Sequence, residues 1–190
     1  LFIVYFFFVS LLTLGEDKME IEIIPLGQIE SDVLGHLEEN LAEIFMAKVS
    51  TAGDQASPEY AYNQKRGQYS SSFILQNLLK LKENREKKVL AVIDKDLYVP
   101  ELNFVFGTAD PGNGVSIISI TRLRQSYYGL AENQDLFLKR TLKEAVHELG
   151  HLLNFGHCLD PQCVMHFSNS LADTDRKDYQ FCSKCKKRLS

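Results

Sequence analysis

The chain has 190 residues and a mass of 21.6 kDa, with 45% hydrophobic and 24% charged residues. That size fits one domain with at most a small appendage, and the composition is globular rather than fibrous or disordered. A formal net charge of −4 and a pI near 5.8 leave no basic footprint for nucleic acid or an anionic membrane surface.

The first stretch, Leu1–Leu14 (LFIVYFFFVSLLTL), is almost wholly apolar. As a helix it would reach about 21 Å, short of a roughly 30 Å hydrocarbon core. It lacks a basic n-region, and acidic Gly15-Glu16-Asp17 follows where a signal peptide would place small residues for cleavage. Gly15 to Met19 can be encoded as GGA GAG GAY AAR ATG, a purine-rich ribosome-binding sequence ahead of a start codon. The expectation is therefore that translation starts at Met19 and that residues 1–18 add nothing to the fold. The competing reading is a truncated secretion signal or membrane anchor.

From Met19 the pattern becomes regular. Ile21–Leu26 reads as a strand ending at Pro25 and Gly27. Ser31 or Asp32 is expected to cap a helix to Ala47, with Val33, Leu34, Leu37, Leu41, Ile44 and Phe45 at helical spacing. Lys48–Ala52 reads as a short strand and Gly53–Gly67, rich in Gly, Ser, Pro and Tyr, as a loop. Ser72–Asn84 is a second amphipathic helix. Three β-type runs follow, Val89–Ile93, Asn103–Thr108 and Val115–Ile120, the last two joined by the turn Asp110–Gly114. A third helix starts near Asn133–Asp135 and runs to Leu153. This order predicts an α+β fold, with helices packed on a mostly parallel sheet of about five strands that carries one antiparallel hairpin.

The third helix ends in HELGHLLNFGHCLDPQCVM, His147 to Met165, which holds three of the five histidines in the chain. His147 and His151, at i and i+4, project from one helical face, so both imidazoles can reach one Zn²⁺ at about 2.0–2.1 Å. Glu148 is rotated about 100° from His147, beside such a metal without facing it, where it can take a proton from water that the metal acidifies. A third ligand would leave one position open. His157 supplies it only if the chain turns back after Leu153, because six more helical residues add about 9 Å of rise. Asn154 tolerates the left-handed conformation that such a turn needs, and Gly156 adds freedom. A chance HExxH on an ordinary amphipathic helix is the bland alternative, and His157 at this offset weighs against it.

The four cysteines, Cys158, Cys163, Cys182 and Cys185, all lie in the last 33 residues. Two close pairs, well separated from each other, match a closed tetrahedral Cys₄ zinc site, structural because no position is left for water. Two disulfides would need an oxidising compartment, and a redox Cys-x-x-Cys would need a strand–helix context. Lys184, Lys186, Lys187 and Arg188 read as a solvated tail.

Together, His147-Glu-x-x-His151-x-x-Asn-x-x-His157 resembles the extended zinc motif of the metzincin metalloproteases. The added Cys158-x₄-Cys163-x-Met165 and Cys182-x-x-Cys185 resemble the archaemetzincins specifically, over Met19–Ser190. The resemblance implies a zincin-like fold, a twisted mixed sheet above the active-site helix. It also implies a catalytic zinc on His147, His151 and His157 with Glu148 as base, and a second zinc on Cys158, Cys163, Cys182 and Cys185 in a C-terminal segment, residues 158–190. Met165 would form the Met-turn beneath the catalytic metal, although a buried thioether filling space is a compatible reading. By the same analogy Asn103, Phe104, Val105, Phe106 and Gly107 would form an edge strand that pairs an extended peptide. One departure is visible: Asn154 stands where the metzincin pattern has Gly.

The expected function is a zinc metallopeptidase with two zinc ions per chain, working as a cytoplasmic monomer on peptide or protein substrates. Nucleic acid and, for residues 19–190, membrane are not expected as partners. The alternatives are a non-catalytic zinc protein that binds a peptide or protein, which has no need of Glu148, and a nucleic-acid-binding zinc ribbon in the tail, which the acidic charge disfavours.

Overall fold

The computed structural model describes residues 18–82 and 84–189; apart from Lys18, the expectation for residues 1–18 falls outside them. Eight strands and five α-helices follow in order among the described residues. They are β1 (Glu20–Leu26), α1 (Ser31–Phe45), β2 (Lys48–Thr51), β3 (Tyr62–Asn63), β4 (Gln68–Ser70), α2 (Ser71–Leu81), β5 (Lys88–Ile93) and β6 (Leu97–Tyr98). After these come β7 (Gly107–Asp110), β8 (Val115–Ser119), α3 (Gln134–Leu152), α4 (Leu171–Arg176) and α5 (Ser183–Lys186).

The main sheet has the order β2-β1-β5-β8-β7, parallel throughout except for β7, which runs antiparallel to β8 at one edge. Its central strands are buried on both faces, which is why they read as continuous apolar runs rather than alternating ones. Ile21, Ile23, Leu90, Val92 and Ile118 meet Val33, Leu37 and Leu41 of α1 and Ala145 and Leu149 of α3. On the other face Ile24, Val89, Ala91, Ile93 and Ile117 meet Ile74 and Leu78 of α2. No helix among the described residues is long and apolar enough to cross a membrane.

Three expectations shift. Helix α1 is capped at Glu30, without a side-chain hydrogen bond, so neither Ser31 nor Asp32 is its cap. The stretch taken as a loop from Gly53 contributes β3, which with β4 and β6 forms a second, three-stranded sheet. The edge strand begins at Gly107 rather than Asn103. Gly107 is the first residue opposite β8, paired with Ile118, and Asn103–Phe106 is irregular apart from one bridge between Leu97 and Val105.

Candidate active site

Helix α3 is started by Asn133, whose side chain accepts from Leu136 N–H. Its apolar face (Phe137, Leu142, Ala145, Val146, Leu149, Leu152) packs on the sheet, yet Arg140, Thr141, Glu144, His147 and Glu148 are buried as well. A helix buried on its polar stripe must have partners for those groups. Arg140 makes a two-pronged pair with Asp175 at 2.6 and 2.7 Å and donates to Leu123 O. Glu144 accepts from Thr174 Oγ1 at 3.1 Å and lies 3.0 Å from Lys177 Nζ. Lys177 is 1% exposed, and its ammonium makes an ion pair that is close but not aligned as a hydrogen bond. Burial works to raise the Glu144 carboxyl, and Lys177, with Thr174 adding, holds it below its ordinary value instead.

The helix stops at Leu153 in a Schellman arrangement. Phe155 N–H reaches Gly150 O at 3.1 Å, Asn154 N–H reaches His151 O at 2.9 Å, and Asn154 takes φ 61°. The returning chain brings the ligand atoms of His147, His151 and His157 within 4.8 Å of one another. His147 Nδ1 is 2.8 Å from Val164 O and His151 Nδ1 is 2.8 Å from Phe155 O. A carbonyl can only accept, so both hydrogens sit on Nδ1 and both Nε2 atoms carry bare lone pairs. Those two Nε2 atoms face each other at 3.1 Å. Facing lone pairs repel, and the separation is near the roughly 3.3 Å between two nitrogens of a tetrahedral zinc site with 2.0–2.1 Å bonds. Burial, with the Lys177 charge adding, pushes His147 down to about 3; burial also lowers His151 and His157. Three neutral imidazoles, those of His147 and His151 with committed Nδ1 hydrogens, are a donor set that a borderline cation takes, so the residues fit zinc.

Glu148 is 5% exposed and borders the same cavity, of about 720 Å³, as the three histidines. Burial pushes its carboxyl up to about 8, the Glu144 charge adds, and Lys177 opposes. A cation on the histidines would pull it back toward the ionised form. The carboxyl lies against Gly107: a Cβ there would come within 2.7 Å of Glu148 Cγ and Oε1 and 2.8 Å of Ile117 O. Only glycine leaves that room.

Met165 is fully buried beneath α3, and a Cβ on Gly150 would run into its sulfur. The preceding carbonyl, Val164 O, is the one that orients His147. Beyond it, the ligand atoms of Cys158, Cys163, Cys182 and Cys185 also lie within 4.8 Å of one another, with all four thiols free. Cys158 Sγ and Cys182 Sγ are 3.9 Å apart, far beyond a bond of about 2.05 Å and near the roughly 3.8 Å of a tetrahedral thiolate site. Burial raises Cys163 and Cys185, while the Cys185 N–H leads in lowering Cys182 to about 7. Clustered thiols of this kind ionise together only around a cation, so this set fits zinc too.

Of the residues singled out from sequence, the histidines and Glu148 share the cavity, the cysteines cluster apart from it, and Met165 lies between. Phe104 and Phe106 line the cavity wall without belonging to the edge strand. Glu144, Lys177 and Gly150 were not anticipated, and Gly107 was expected only as part of the edge strand, not as the seat of the Glu148 carboxyl. A spacing rule could have found Glu144, one turn before His147 and Glu148; nothing local marks Lys177.

The profile of peptidase family M54 matches residues 26–190. The archaemetzincin of Methanocaldococcus jannaschii is 43% identical over 172 residues, covering 90% of this chain and 93% of that protein. The crystal structure of archaemetzincin from Archaeoglobus fulgidus, complexed with malonate, has a TM-score of 0.78 and 37% identity, covering 90% of this chain and 99% of that one. The crystal structure of a zinc-dependent peptidase from Methanocorpusculum labreanum has a TM-score of 0.83 and 29% identity, covering 90% and 100%.

Proposed function

The chain belongs to peptidase family M54, the archaemetzincins, and we propose that it hydrolyses peptide bonds with Glu148 as general base and one zinc ion on His147, His151 and His157. It is a zinc-dependent metallopeptidase acting on peptides. The observation that carries the proposal is the pair of bare Nε2 lone pairs 3.1 Å apart, bordering the same cavity as a sequestered carboxyl.

Zinc held there would supply a Lewis acid for the scissile carbonyl and lower the pKa of water to about 7. Glu148, seated against Gly107 and shielded from bulk solvent, takes the proton of the attacking water and passes it to the leaving amine nitrogen. His147 and His151 remain neutral and fixed in orientation by Val164 O and Phe155 O. The outer edge of β7, paired on one side only, offers backbone groups to an extended peptide. Cys158, Cys163, Cys182 and Cys185 hold a second, structural zinc, with no position left for water. Four zinc-bound thiolates need a reducing compartment, which supports a cytoplasmic protein.

Graded chelation tests the two-site reading. Protein purified without chelator should contain about two zinc per chain, and peptide cleavage should disappear as the first equivalent leaves, because the open histidine site exchanges first. Adding zinc should restore it. His157→Ala should lose that first equivalent alone. Cleavage that survives removal of the first equivalent would assign the chemistry elsewhere.

A further inference from the structure

The wall of the active-site cavity opposite the helix is the irregular stretch Leu102–Phe106, and it is braced from behind by four polar side chains. Arg66 Nη2 donates to Leu102 O at 2.7 Å and to Asn103 O at 3.1 Å. Gln68 Nε2 donates to Asn103 O at 2.8 Å and to Asp96 Oδ2 at 3.0 Å, while its own Oε1 accepts from Arg66 Nε. Asp96 in turn takes two hydrogen bonds from Arg122, at 2.6 and 2.7 Å. The Arg122 guanidinium lies 4.2 Å from the centre of the Phe104 ring, which meets Phe106 edge-on at 5.1 Å. These side chains come from separate parts of the chain, and their bonds converge on two carbonyls and one ring. The stretch has only two backbone hydrogen bonds to neighbouring strands, Val105 N–H to Leu97 O and Ser119 N–H to Phe106 O, and a planar guanidinium held by a carboxylate is a stiff support for an aromatic face.

The brace has a consequence for recognition. Leu102 O and Asn103 O accept from Arg66 and Gln68, and the strand edge that an extended peptide could lengthen begins at Gly107. What Phe104 offers the cavity is a half-buried aromatic side chain. We propose that Phe104 is a specificity-determining residue that receives an apolar substrate side chain next to the scissile bond, and that Arg122 and Asp96 are positioning residues that fix its ring. This rests on the peptidase reading above.

The test uses zinc-loaded protein and peptides that differ at one position beside the cleaved bond, carrying Leu, Phe, Asp or Lys there. Wild type should prefer Leu and Phe. Phe104→Ala should raise KM for those two by roughly 10-fold and leave kcat within about twofold, removing the preference. Phe104→Leu, which keeps an apolar side chain, should lose less. Arg122→Gln and Asp96→Asn should shift KM in the same direction although the ring is still present. Dissociation constants of the same peptides, measured by calorimetry in a Glu148→Gln background, should move in parallel. Cleavage with an unchanged preference in both Phe104 variants, or losses confined to kcat and equal for all four peptides, would overturn this assignment alone. Absence of any cleavage by wild type, with the binding preference and its loss in Phe104→Ala intact, would overturn the peptidase reading and support the role of Phe104.

Discussion

Lys177→Met should lower folding stability by about 3–5 kcal/mol, the usual cost of removing one partner from a buried ion pair. Lys177 and Glu144 are 1% and 3% exposed and sit 3.0 Å apart, so the variant leaves a buried carboxylate with only Thr174 Oγ1 as side-chain donor. The pH dependence has a definite sign. In wild type the Glu144 pKa lies below its ordinary value of 4.5, so its stabilisation is present above that value and lost as pH falls through the folded pKa. In the variant, burial without Lys177 raises the same pKa, and stability is gained as pH falls toward 4.5. The difference between the two proteins should therefore narrow on acidification. Denaturant unfolding at pH 7.5 and pH 4.5 reads both effects; a constant difference would mean that Lys177 acts through packing alone.

Cys182→Ser should have a still larger effect. Structural zinc contributes about 10–16 kcal/mol to the folding of zinc-finger peptides, and a domain with its own core should lose a fraction of that. Here the cysteine segment is also part of the core: Cys163, Val164, Met165, Phe181 and Cys185 are all buried in the cluster that includes the apolar faces of α1 and α3. Loosening it frees Val164 O, the carbonyl that orients His147. Zinc should fall to about one per chain or below, the unfolding midpoint should drop by roughly 10 °C or more, and affinity at the histidine site should weaken as well. A variant with unchanged zinc content and midpoint would mean that the cysteines hold no metal.

What was legible in the sequence is what depends on neighbours along the chain. The i, i+4 pair His147–His151 follows from helical geometry, and the left-handed turn at Asn154 follows from the residue type and from the need to stop the helix. The apolar runs of β1, β5 and β8 report burial on both faces, which is local information too. Contacts across long separations were not legible. Lys177 sits in the charged stretch Asp173–Asp178, which has the composition of a solvated surface, and its partner Glu144 is on another helix. The requirement for glycine at 107 comes from the Glu148 carboxyl and the Ile117 carbonyl packed on it, both distant in sequence. Asn103–Phe106 has strand composition, but a strand also needs a partner, and this stretch meets its neighbours through one bridge and the side chains of Arg66, Gln68 and Arg122. The strands of the second sheet, β3, β4 and β6, are two or three residues long, too short for alternation to register.

The most direct test of the account compares digestion of a peptide library by zinc-loaded wild type and by Glu148→Gln. The substitution keeps the shape of the side chain and removes its ability to accept a proton, and it leaves both clusters of metal-binding side chains untouched. Wild type should cleave, and the variant should be slower by at least about 10²–10⁴-fold at the same zinc content and unfolding midpoint. Equal cleavage by the two zinc-loaded proteins would contradict the account, because the proton would then have to move without Glu148.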